Sequence, residues 1–462
     1  MVHQYKKNGY NIVMDVNSGS VHVVDDLVYD IIALFEHASS ERIVEKMLAK
    51  YAGVPEITES EIRASLADIA KLKEEGSLFS EDLFRPHAEE LKNRLTTLKA
   101  ICLNVAHDCN LRCQYCFAGK GEYKAGVRDI MSYEIGKKAF DFLVANSGTR
   151  KNLEVDFFGG EPLMNFDVIR KLTEYAKELG KKTGKHFRLT LTTNGMLLND
   201  EVIEFANREM DNVVLSLDGR REIHDRMRPT PNGKGSYDLV VPKFKKLVES
   251  RGDKLYYIRG TYTHHNLDFA EDILHYADLG FKELSIEPVV SDPNEEYALR
   301  PEDLPQILEQ YDILSDEMLK REENGNGFQF YHYMIDLSHG PCIAKLVAGC
   351  GVGLEYLAIT PNGDIYPCHQ FVGEEEFKLG NVDTGITRTD LQEQFKKNHL
   401  YEKEECENCF AKFYCSGGCA ANAYHAHGDV TGIYELGCEM QRHRVENAIM
   451  MEVHRAALAV QA

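Results

Sequence analysis

Residues 100–116 read AICLNVAHDCNLRCQYC, an apolar segment that runs directly into a loop with three cysteines. The first eight residues are mostly apolar, which is typical of a strand buried on both faces of a sheet. Similar segments recur up to residue 290, and stretches of helical character separate them. This alternation decides the fold class, because strands joined by helices of that length form right-handed β–α–β units around a parallel sheet.

Six strand–helix units, rather than eight, predict an α/β fold with a partial (βα)6 TIM-like barrel. The predicted strands are LKAICLNVAH (98–107), LEVDFFGG (153–160), RLTLTTNG (188–195), NVVLSLDG (212–219), LYYIRGTYT (255–263) and ELSIEPVV (283–290). The predicted helices occupy residues 132–146, 165–180, 200–209, 236–250 and 268–279. In such barrels the loops after the strand C-termini carry the chemistry. The chemically distinctive residues lie there: Cys109–Cys116, Gly159–Pro162, Asn194 and Ser216–Gly219, with Glu287 as a further candidate.

The composition excludes several classes of protein. With 462 residues, 43% of them hydrophobic and 27% charged, the chain has room for about three domains with ordinary cores. The net charge of −21 argues against nucleic-acid binding, since phosphate recognition needs a basic surface. No apolar run approaches the ~20 residues of a membrane span. The first residues lack the apolar core of a signal peptide, so we expect a cytoplasmic protein without a membrane partner.

Twelve cysteines are unusual for such a chain. A reducing cytosol would not keep them as disulfides, which favours metal ligation. Cys109, Cys113 and Cys116 lie within eight residues, and such a loop can wrap one cuboidal four-iron cluster while leaving one iron open. A structural zinc site would want a fourth protein ligand, for which only His107 lies nearby.

This spacing, CxxxCxxC with Tyr115 before the last cysteine, resembles the signature of the radical S-adenosylmethionine (SAM) superfamily. The resemblance implies that the open iron chelates the amino and carboxylate groups of SAM. One electron from the cluster then cleaves a carbon–sulfur bond of SAM and yields a 5′-deoxyadenosyl radical that abstracts hydrogen. An electron donor such as ferredoxin or flavodoxin is implied as a partner.

Eight further residues resemble positions that contact SAM in that superfamily: Gly159, Gly160, Glu161, Pro162, Thr193, Asn194, Ser216 and Arg228. The first four match the GGEP motif, in which the backbone and the Glu carboxylate hold the ammonium group. The glycines there permit close approach of the backbone. The last four resemble residues that contact the ribose or the carboxylate, with Arg228 pairing with the carboxylate. The alternative for these four is an ordinary role as polar groups of turns.

The C-terminal cysteines are seven: Cys350, Cys368, Cys406, Cys409, Cys415, Cys419 and Cys438. Cysteine pairs at this spacing also occur in zinc ribbons. The order of all seven instead resembles the SPASM domain of peptide-modifying radical SAM enzymes, which holds two auxiliary four-iron clusters. By that resemblance one cluster is held by Cys406, Cys409, Cys415 and Cys438, and the other by Cys350, Cys368 and Cys419.

The sequence does not identify a fourth ligand for the cluster of Cys350, Cys368 and Cys419. Some relatives have a further cysteine six positions after the first, where this chain has Tyr356. Cys342 is a candidate for that ligand, and its alternative is a free thiol in a core. Without a fourth protein ligand, one iron would be free to bind and deprotonate a substrate thiol. Cys102 alternates with apolar residues in a predicted strand and is interpreted as structural.

The first 85 residues have a pattern of their own. YNIVMDVNSGSVHVVD (10–25) predicts two strands joined by a turn at residues 17–19, and three helical segments follow. Helix starts are predicted at Ser39 or Ser40 and at Thr58. This winged-helix-like module resembles the element with which peptide-modifying enzymes grip a leader sequence, because an exposed edge strand can accept an added strand. The alternative is a structural cap.

Five regions are therefore predicted: a leader-recognition domain (1–85), a radical SAM partial barrel (98–300), a helical bridge (301–341), a SPASM domain (342–440) and a C-terminal helix (441–462). The combination resembles the maturases of clostridial six-cysteine (SCIFF) peptides, which form thioether cross-links from a cysteine sulfur to a carbon of another residue. It implies SAM and three [4Fe-4S] clusters as cofactors, and a ribosomally synthesised, cysteine-rich precursor peptide with a leader as substrate. One alternative is an anaerobic sulfatase-maturing enzyme that makes formylglycine; another is a zinc-binding adaptor without catalysis.

Overall fold

The N-terminal module is a three-stranded antiparallel sheet backed by three helices. The computed structural model describes residues 1–88, 90, 96–123, 126, 128–337 and 343–461. The module comprises β1 Val2–Lys7, β2 Tyr10–Asp15, β3 Val21–Val24, α1 Asp26–Phe35, α2 Ser40–Lys50 and α3 Glu59–Glu74. Ser39 and Thr58 cap α2 and α3, as predicted, because their hydroxyls accept the backbone N–H groups of Arg42 and Glu61.

The prediction of two strands in this module is wrong in one respect, because β1 is a third strand. Asn8 and Gly9 join β1 to β2, both with positive φ (48° and 80°), which is the conformation that a two-residue hairpin turn requires. The sheet order β1–β2–β3 leaves β3 at an edge. The Asn-Gly pair is the sequence signal that predicts this extra hairpin.

Strand β2 joins the module to the rest of the protein. Val13 packs in the module's own core with the helices, whereas Ile12 and Met14 belong to the large core that contains the barrel strands. Successive side chains of a strand point to opposite faces, so one strand serves both cores. The module is therefore packed against the rest of the protein, and its contacts include one from the Tyr5 hydroxyl to the Glu446 carbonyl near the C-terminus.

Six parallel strands in chain order form the partial barrel, as predicted. They are β4 Ala100–His107, β6 Asn152–Gly159, β7 His186–Thr193, β8 Asn212–Ser216, β9 Leu255–Tyr262 and β10 Glu283–Pro288, and the short β5 Asp129–Ile130 pairs antiparallel with β4. The helices between them are α4 Tyr133–Ala145, α5 Phe166–Thr183, α6 Asp200–Glu209, α7 Arg221–Met227, α8 Tyr237–Arg251 and α9 Phe269–Asp278. The predicted boundaries agree to within a few residues.

The C-terminal part continues the barrel sheet. Its elements are α10 Leu304–Glu323, β11 Gln329–Phe330, α11 Ile343–Ala348, β12 Tyr356–Ile359, β13 Asp364–Tyr366, β14 Gly380–Asn381, β15 Gly385–Ile386, α12 Thr389–Lys396, α13 Glu404–Glu407, α14 Lys412–Cys415, α15 Ala420–His427 and α16 Glu435–Gln461. Strand β12 pairs in parallel with β4, so the sheet extends past the first barrel strand into the cysteine-rich region. This pairing brings the C-terminal cysteines beside the barrel.

The C-terminal helix begins earlier than the predicted residue 441. Helix α16 starts at Glu435, so Cys438 lies in its first turn rather than before it. Helix α10, the predicted bridge, packs along α16 and buries Ile307, Tyr311 and Leu314. Among the described helices, none has the length and apolar character needed to cross a membrane.

Candidate active site

The loop after β4 brings three thiols together, and we call Cys109, Cys113 and Cys116 the Cys109 set. The backbone N–H of Arg112 donates to the carbonyl of Pro229, which fixes the loop against the segment after α7. Burial raises the pKa of the Cys109 thiol to about 12, and the nearby Glu161 carboxylate and Cys116 thiol add to this effect. Burial and the other two thiols of the set also raise the pKa of Cys113. Thiols in such a place ionise only beside a strong positive charge, which is what a metal cluster provides.

The GGEP segment lies tightly against the start of this loop. The backbone N–H of Gly160 donates to the carbonyl of Ala106, and that of Glu161 donates to the carbonyl of Asp108. A Cβ atom on Gly160 would stand 2.2 Å from the Asp108 carbonyl oxygen, and one on Gly159 would stand 2.3 Å from that of Ala106. Only glycine fits at both positions, as the motif predicts.

Glu161 links the ends of two barrel strands. Its side chain is fully buried, and its carboxylate accepts the Thr193 hydroxyl at 2.7 Å, the backbone N–H of Asn194 at 2.8 Å and that of Leu163 at 3.1 Å. Burial raises the pKa of Glu161 to about 7, although these donors oppose the shift. The Asn194 amide in turn donates to Asn110 at 2.8 Å within the cysteine loop. The predicted residues Glu161, Thr193 and Asn194 thus form one network, which begins at the Pro162 turn and ends beside Cys109.

Arg228 pairs with a carboxylate of the protein itself. Its Nε lies 2.9 Å from Oδ2 of Asp218, and the Tyr115 hydroxyl donates to the same oxygen at 2.5 Å. The guanidinium also stands over the Tyr115 ring, 5.6 Å from its centroid. Asp218 is fully buried; it lies within Ser216–Gly219, the distinctive stretch after the fourth strand, but the sequence alone assigns it no role in the site. Ser216, which was predicted, is half-buried at the end of β8.

Four C-terminal cysteines line one pocket. Cys406, Cys409, Cys415 and Cys438, which we call the Cys438 set, surround a cavity of about 200 Å³. The set joins α13, α14 and the first turn of α16, segments that are up to 32 positions apart in the chain. These are the four residues that the resemblance to the SPASM domain assigns to one cluster.

The remaining three, Cys350, Cys368 and Cys419, form the Cys368 set. Burial raises the pKa of Cys368, and the nearby thiols of Cys419 and Cys350 contribute to the shift. The set therefore lies in one place. Cys342, the candidate fourth ligand, lies outside the described residues.

The position six residues after Cys350 holds a tyrosine that has a partner of its own. The Tyr356 hydroxyl lies 3.2 Å from Nδ1 of His369, the residue after Cys368. Cys102 is buried in β4, with its sulfur 3.7 Å from Oδ1 of Asn104. That place fits its interpretation as a structural residue.

The three sets fit iron–sulfur clusters in the chemistry of their donors. In the described part of the chain, no three His, Cys, Asp or Glu side chains already stand in the geometry of a metal site, and the eleven cysteines described there are free thiols. Each set is nevertheless made of thiols alone, and soft thiolate donors of this kind suit iron–sulfur clusters. The residues present are thus compatible with the cofactors that the motifs predict.

Aromatic and charged side chains lie between the thiol sets at the barrel mouth, and sequence reasoning missed most of them. The rings of Phe117 and Phe158 lie 5.4 and 5.2 Å from that of His369, so they connect the residue after Cys116 with the residue after Cys368. Burial alone would raise the pKa of Glu287, but His332 and Arg259, each 3.3 Å away, hold it below its ordinary value. Glu287 is therefore an ionised, paired group at the mouth.

Comparison with known proteins agrees with this geometry. The family model of the radical SAM superfamily matches residues 103–277, and that of the SPASM iron–sulfur cluster-binding domain matches residues 350–410. A cysteine-type anaerobic sulfatase-maturating enzyme of Clostridium novyi (strain NT) is 26% identical over 349 residues, which are 71% of this chain and 89% of the relative.

Two solved structures share the fold. The structure of anSMEcpe with bound AdoMet and Cp18Cys peptide is 21% identical with a TM-score of 0.62, over 78% of this chain and 99% of that one. The structure of Streptococcus suis SuiB bound to precursor peptide SuiA is 17% identical with a TM-score of 0.53, over 92% and 96% of the two chains. The chain therefore has a radical SAM domain and a C-terminal SPASM domain, built on the partial α/β barrel of radical SAM enzymes.

Proposed function

We propose that this enzyme matures a ribosomally synthesised, cysteine-rich peptide by forming thioether cross-links from a cysteine sulfur to a carbon of another residue. The observation that carries the proposal is that a barrel with a Cys109 set, a three-cysteine Cys368 set and an N-terminal module with an open strand edge occur in one chain. SAM and a four-iron cluster, when bound, supply the one-electron chemistry that removes a hydrogen atom from the substrate.

The Cys109 set holds that cluster in this proposal, and the strand ends around it hold SAM. Gly159 and Gly160 let the backbone approach closely, and Glu161 fixes the ends of β6 and β7 relative to the loop. The other residues that we assign to SAM are Tyr115, Pro162, Thr193, Asn194, Ser216 and Arg228. Because Asp218 neutralises the buried Arg228, the arginine is held in place before any ligand arrives.

The auxiliary sets hold two further clusters in this proposal, three in all. The Cys438 set has four thiols, which is a complete ligand set for a four-iron cluster. The Cys368 set has three, and Tyr356 stands where some relatives have another cysteine. One ligand position is thus left for the thiol of a substrate cysteine.

The leader is assigned to a groove between β3 and α3. This cavity of about 370 Å³ is lined by His22, Val23 and Val24 of the strand and by Ile69 and Leu72 of the helix. Strand β3 has β2 on one side and, among the described elements, no strand on its other side. An extended peptide can therefore pair with the free edge while its apolar side chains enter the groove.

Coverage by the solved structures supports a role for the module. The likeness to SuiB, whose structure holds a precursor peptide, leaves only 8% of this chain uncovered, too little to omit the whole module. The similarity to the anSMEcpe structures covers a smaller share, 78% of this chain. A fold shared with SuiB along nearly the whole length fits an enzyme that takes a leader-bearing peptide.

The second candidate function is oxidation of a Cys or Ser side chain to formylglycine. Similarity to the sulfatase-maturating enzyme of Clostridium novyi favours it, since 89% of that enzyme is matched. The two reactions change the peptide differently. A thioether cross-link removes two hydrogen atoms and keeps the sulfur, whereas conversion of cysteine to formylglycine removes two hydrogen atoms and also replaces sulfur by oxygen. Conversion of serine removes two hydrogen atoms as well, and the aldehyde that it forms distinguishes this product from a thioether.

The test is anaerobic incubation of the reconstituted protein with SAM, a reductant and a cysteine-rich peptide with its leader, followed by mass spectrometry. A sulfatase-type peptide without a leader serves as the matched substrate. Loss of two hydrogens in the first peptide, with no change in the second, supports thioether formation. An aldehyde product in the second peptide would favour the other function.

A further inference from the structure

Three of the four thiols in the Cys438 set come from a segment with little structure of its own. Residues 401–415, which we call the distal loop, contain only a 3-10 turn at their start and the single-turn helices α13 and α14. Isolated helical turns of this length are not stable in water without tertiary contacts. The relative positions of these thiols therefore depend on what the distal loop packs against.

One such contact is an ion pair with the segment that leaves the N-terminal module. Lys412 is 4% exposed, and its Nζ donates to Oδ2 of Asp82 at 2.8 Å. The Tyr401 hydroxyl donates to Oδ1 of Asp82 at 2.8 Å. One carboxylate thus holds both ends of the distal loop, and its removal would leave a buried ammonium group without its counter-charge.

Neighbouring residues make further contacts with the distal loop. Phe84 packs edge-on against Phe413, with ring centroids 5.0 Å apart, and Arg85 pairs with Glu407. At the other end of the module, the ring of His3 stacks on that of Phe410, with centroids 3.5 Å apart. Glu407 and Phe410 directly follow Cys406 and Cys409 in the chain. Each of these two cysteines is therefore next to a residue that the module holds.

The segment that makes these contacts is itself tied to β2. The backbone N–H of Ser80 donates to Oδ2 of Asp15 at 3.0 Å, and its hydroxyl also donates to that carboxylate. The side-chain amide of Asn17 donates to the Ser80 carbonyl at 2.9 Å. We call residues 80–85 together with His3 the clasp, since they connect the strand end to the distal loop.

We propose that the clasp is a positioning device for the Cys438 set, so that the N-terminal module holds the distal loop in the arrangement in which its thiols bind a cluster. This proposal rests on the assignment of a cluster to that set and is independent of the peptide reaction. It gives the module a second role, separate from that of the free edge of β3. Binding of the cluster and folding of the module then stabilise each other, because linkage is reciprocal.

The experiment compares the iron content of reconstituted protein and its variants, with no peptide present. The Cys406→Ala variant shows how much iron is lost when the Cys438 set cannot hold its cluster. Asp82→Ala is expected to lose about half or more of that amount, because a buried lysine is left unpaired. Asp82→Asn keeps a hydrogen-bond acceptor and should retain more iron. Lys73→Met is the matched control, since its exposed pair with Glu36 lies in the module away from the distal loop.

A spectroscopic measurement distinguishes a specific effect on the Cys438 set from general destabilisation of the protein. Electron paramagnetic resonance of the reduced protein should show loss or change of the same signal in Asp82→Ala and Cys406→Ala, while the signal that disappears in Cys113→Ala stays intact. If Asp82→Ala does not fold, His3→Ala is measured in the same way; it removes the ring stacked on Phe410 together with the contact of Nε2 with Glu446, and leaves the buried Lys412–Asp82 pair in place. Full iron with unchanged spectra in the folded variant would overturn the proposal. Equal loss of all signals in both variants would overturn it too, because the clasp would then support the fold as a whole.

Discussion

Gly160 shows how much of the site depends on backbone rather than on side chains. The Cβ atom of any other residue would overlap the carbonyl oxygen of Asp108, at 2.2 Å, and neither backbone can move without shifting the cysteine loop. The sequence predicts this close approach from the motif alone. It does not predict Asp218, because a single aspartate after a strand is common and its buried partners, Arg228 and Tyr115, become neighbours only in the folded chain.

Substitution of Gly160 tests the backbone approach. Gly160→Ala should lose SAM binding and 5′-deoxyadenosine formation by at least about tenfold, since the added carbon displaces the loop of the Cys109 set. Equilibrium dialysis with SAM and product analysis measure both. Gly327→Ala is the control, because its Cβ would meet the flexible Glu322 side chain. Unchanged SAM binding in Gly160→Ala would contradict the close approach.

Substitution of Asp218 tests the buried pair. Asp218→Asn should destabilise the protein by about 3–5 kcal/mol, because Arg228 keeps its charge in a buried place without compensation. Urea unfolding of the protein without cofactors measures this free energy. The control is Asp268→Asn. Asp268 is half-exposed and pairs with Arg220, so loss of this pair should change the free energy of unfolding by no more than about 1 kcal/mol. Equal stability of the two variants would show that the Asp218 pair contributes nothing.

At the scale of elements, periodicity predicts the barrel well and the sheet edges poorly. The six strands and five of the helices between them have clear patterns, so their positions agree with the structure, whereas the seven-residue α7 is not predicted. Strand β1 is half-buried along nearly its whole length and lacks an alternation of buried and exposed residues, and β12 joins the sheet next to β4 although some 250 residues separate them. Pairing between strands so far apart in the chain depends on tertiary packing, so no local sequence pattern predicts it. Local sequence likewise does not predict that the two faces of β2 pack in two different hydrophobic cores.

The free edge of β3 leads to a prediction about peptide binding. Val23 is 52% exposed and lines the groove, so Val23→Glu should leave the fold intact but place a charge where apolar side chains of the leader bind. We expect the Kd for the precursor peptide to rise about tenfold or more. Fluorescence anisotropy of a labelled peptide measures this, with uncoupled SAM cleavage as the check on integrity.

A matched control lies in the same module. Val54 is 41% exposed and is not among the residues that line the groove, so Val54→Glu should bind the peptide like the unmodified protein. Deletion of residues 1–85 is a poorer test, because Ile12 and Met14 are part of the large core. Equal affinity of the Val23→Glu and Val54→Glu variants would mean that the leader binds elsewhere.

At the scale of the whole molecule, the chain gathers ten thiols into three sets, of which the Cys109 set lies in the loop after the first barrel strand. The division of ten cysteines into these sets is what the resemblance to radical SAM and SPASM domains implies, and in the structure the members of each set are neighbours. The sequence does not predict what lies between the sets. The rings of Phe117, Phe158 and His369 come from three separate loops and strands, and only the closed sheet brings them together.

The separation of the sets predicts independent loading. Replacing Cys109, Cys113 and Cys116 together by Ala should abolish SAM cleavage but keep the iron held by the other seven cysteines, because these lie outside the β4 loop. Iron analysis and chromatography of 5′-deoxyadenosine measure the two effects. Cys102→Ala, which changes a buried thiol outside all three sets, should keep both iron and activity. Loss of all iron in the triple variant would show that the sets assemble together.

The central claim is that the enzyme joins cysteine sulfur to carbon, and the most direct measurement is a count of free thiols in the product. After the anaerobic reaction the peptide is reduced, alkylated and analysed by mass spectrometry. A thioether consumes one thiol for each pair of hydrogens lost and survives reduction, whereas a disulfide consumes two thiols and is reversed. The account predicts one blocked thiol per lost hydrogen pair, stable to reductant. A product in which all thiols return on reduction, or in which sulfur is replaced by oxygen, would contradict it.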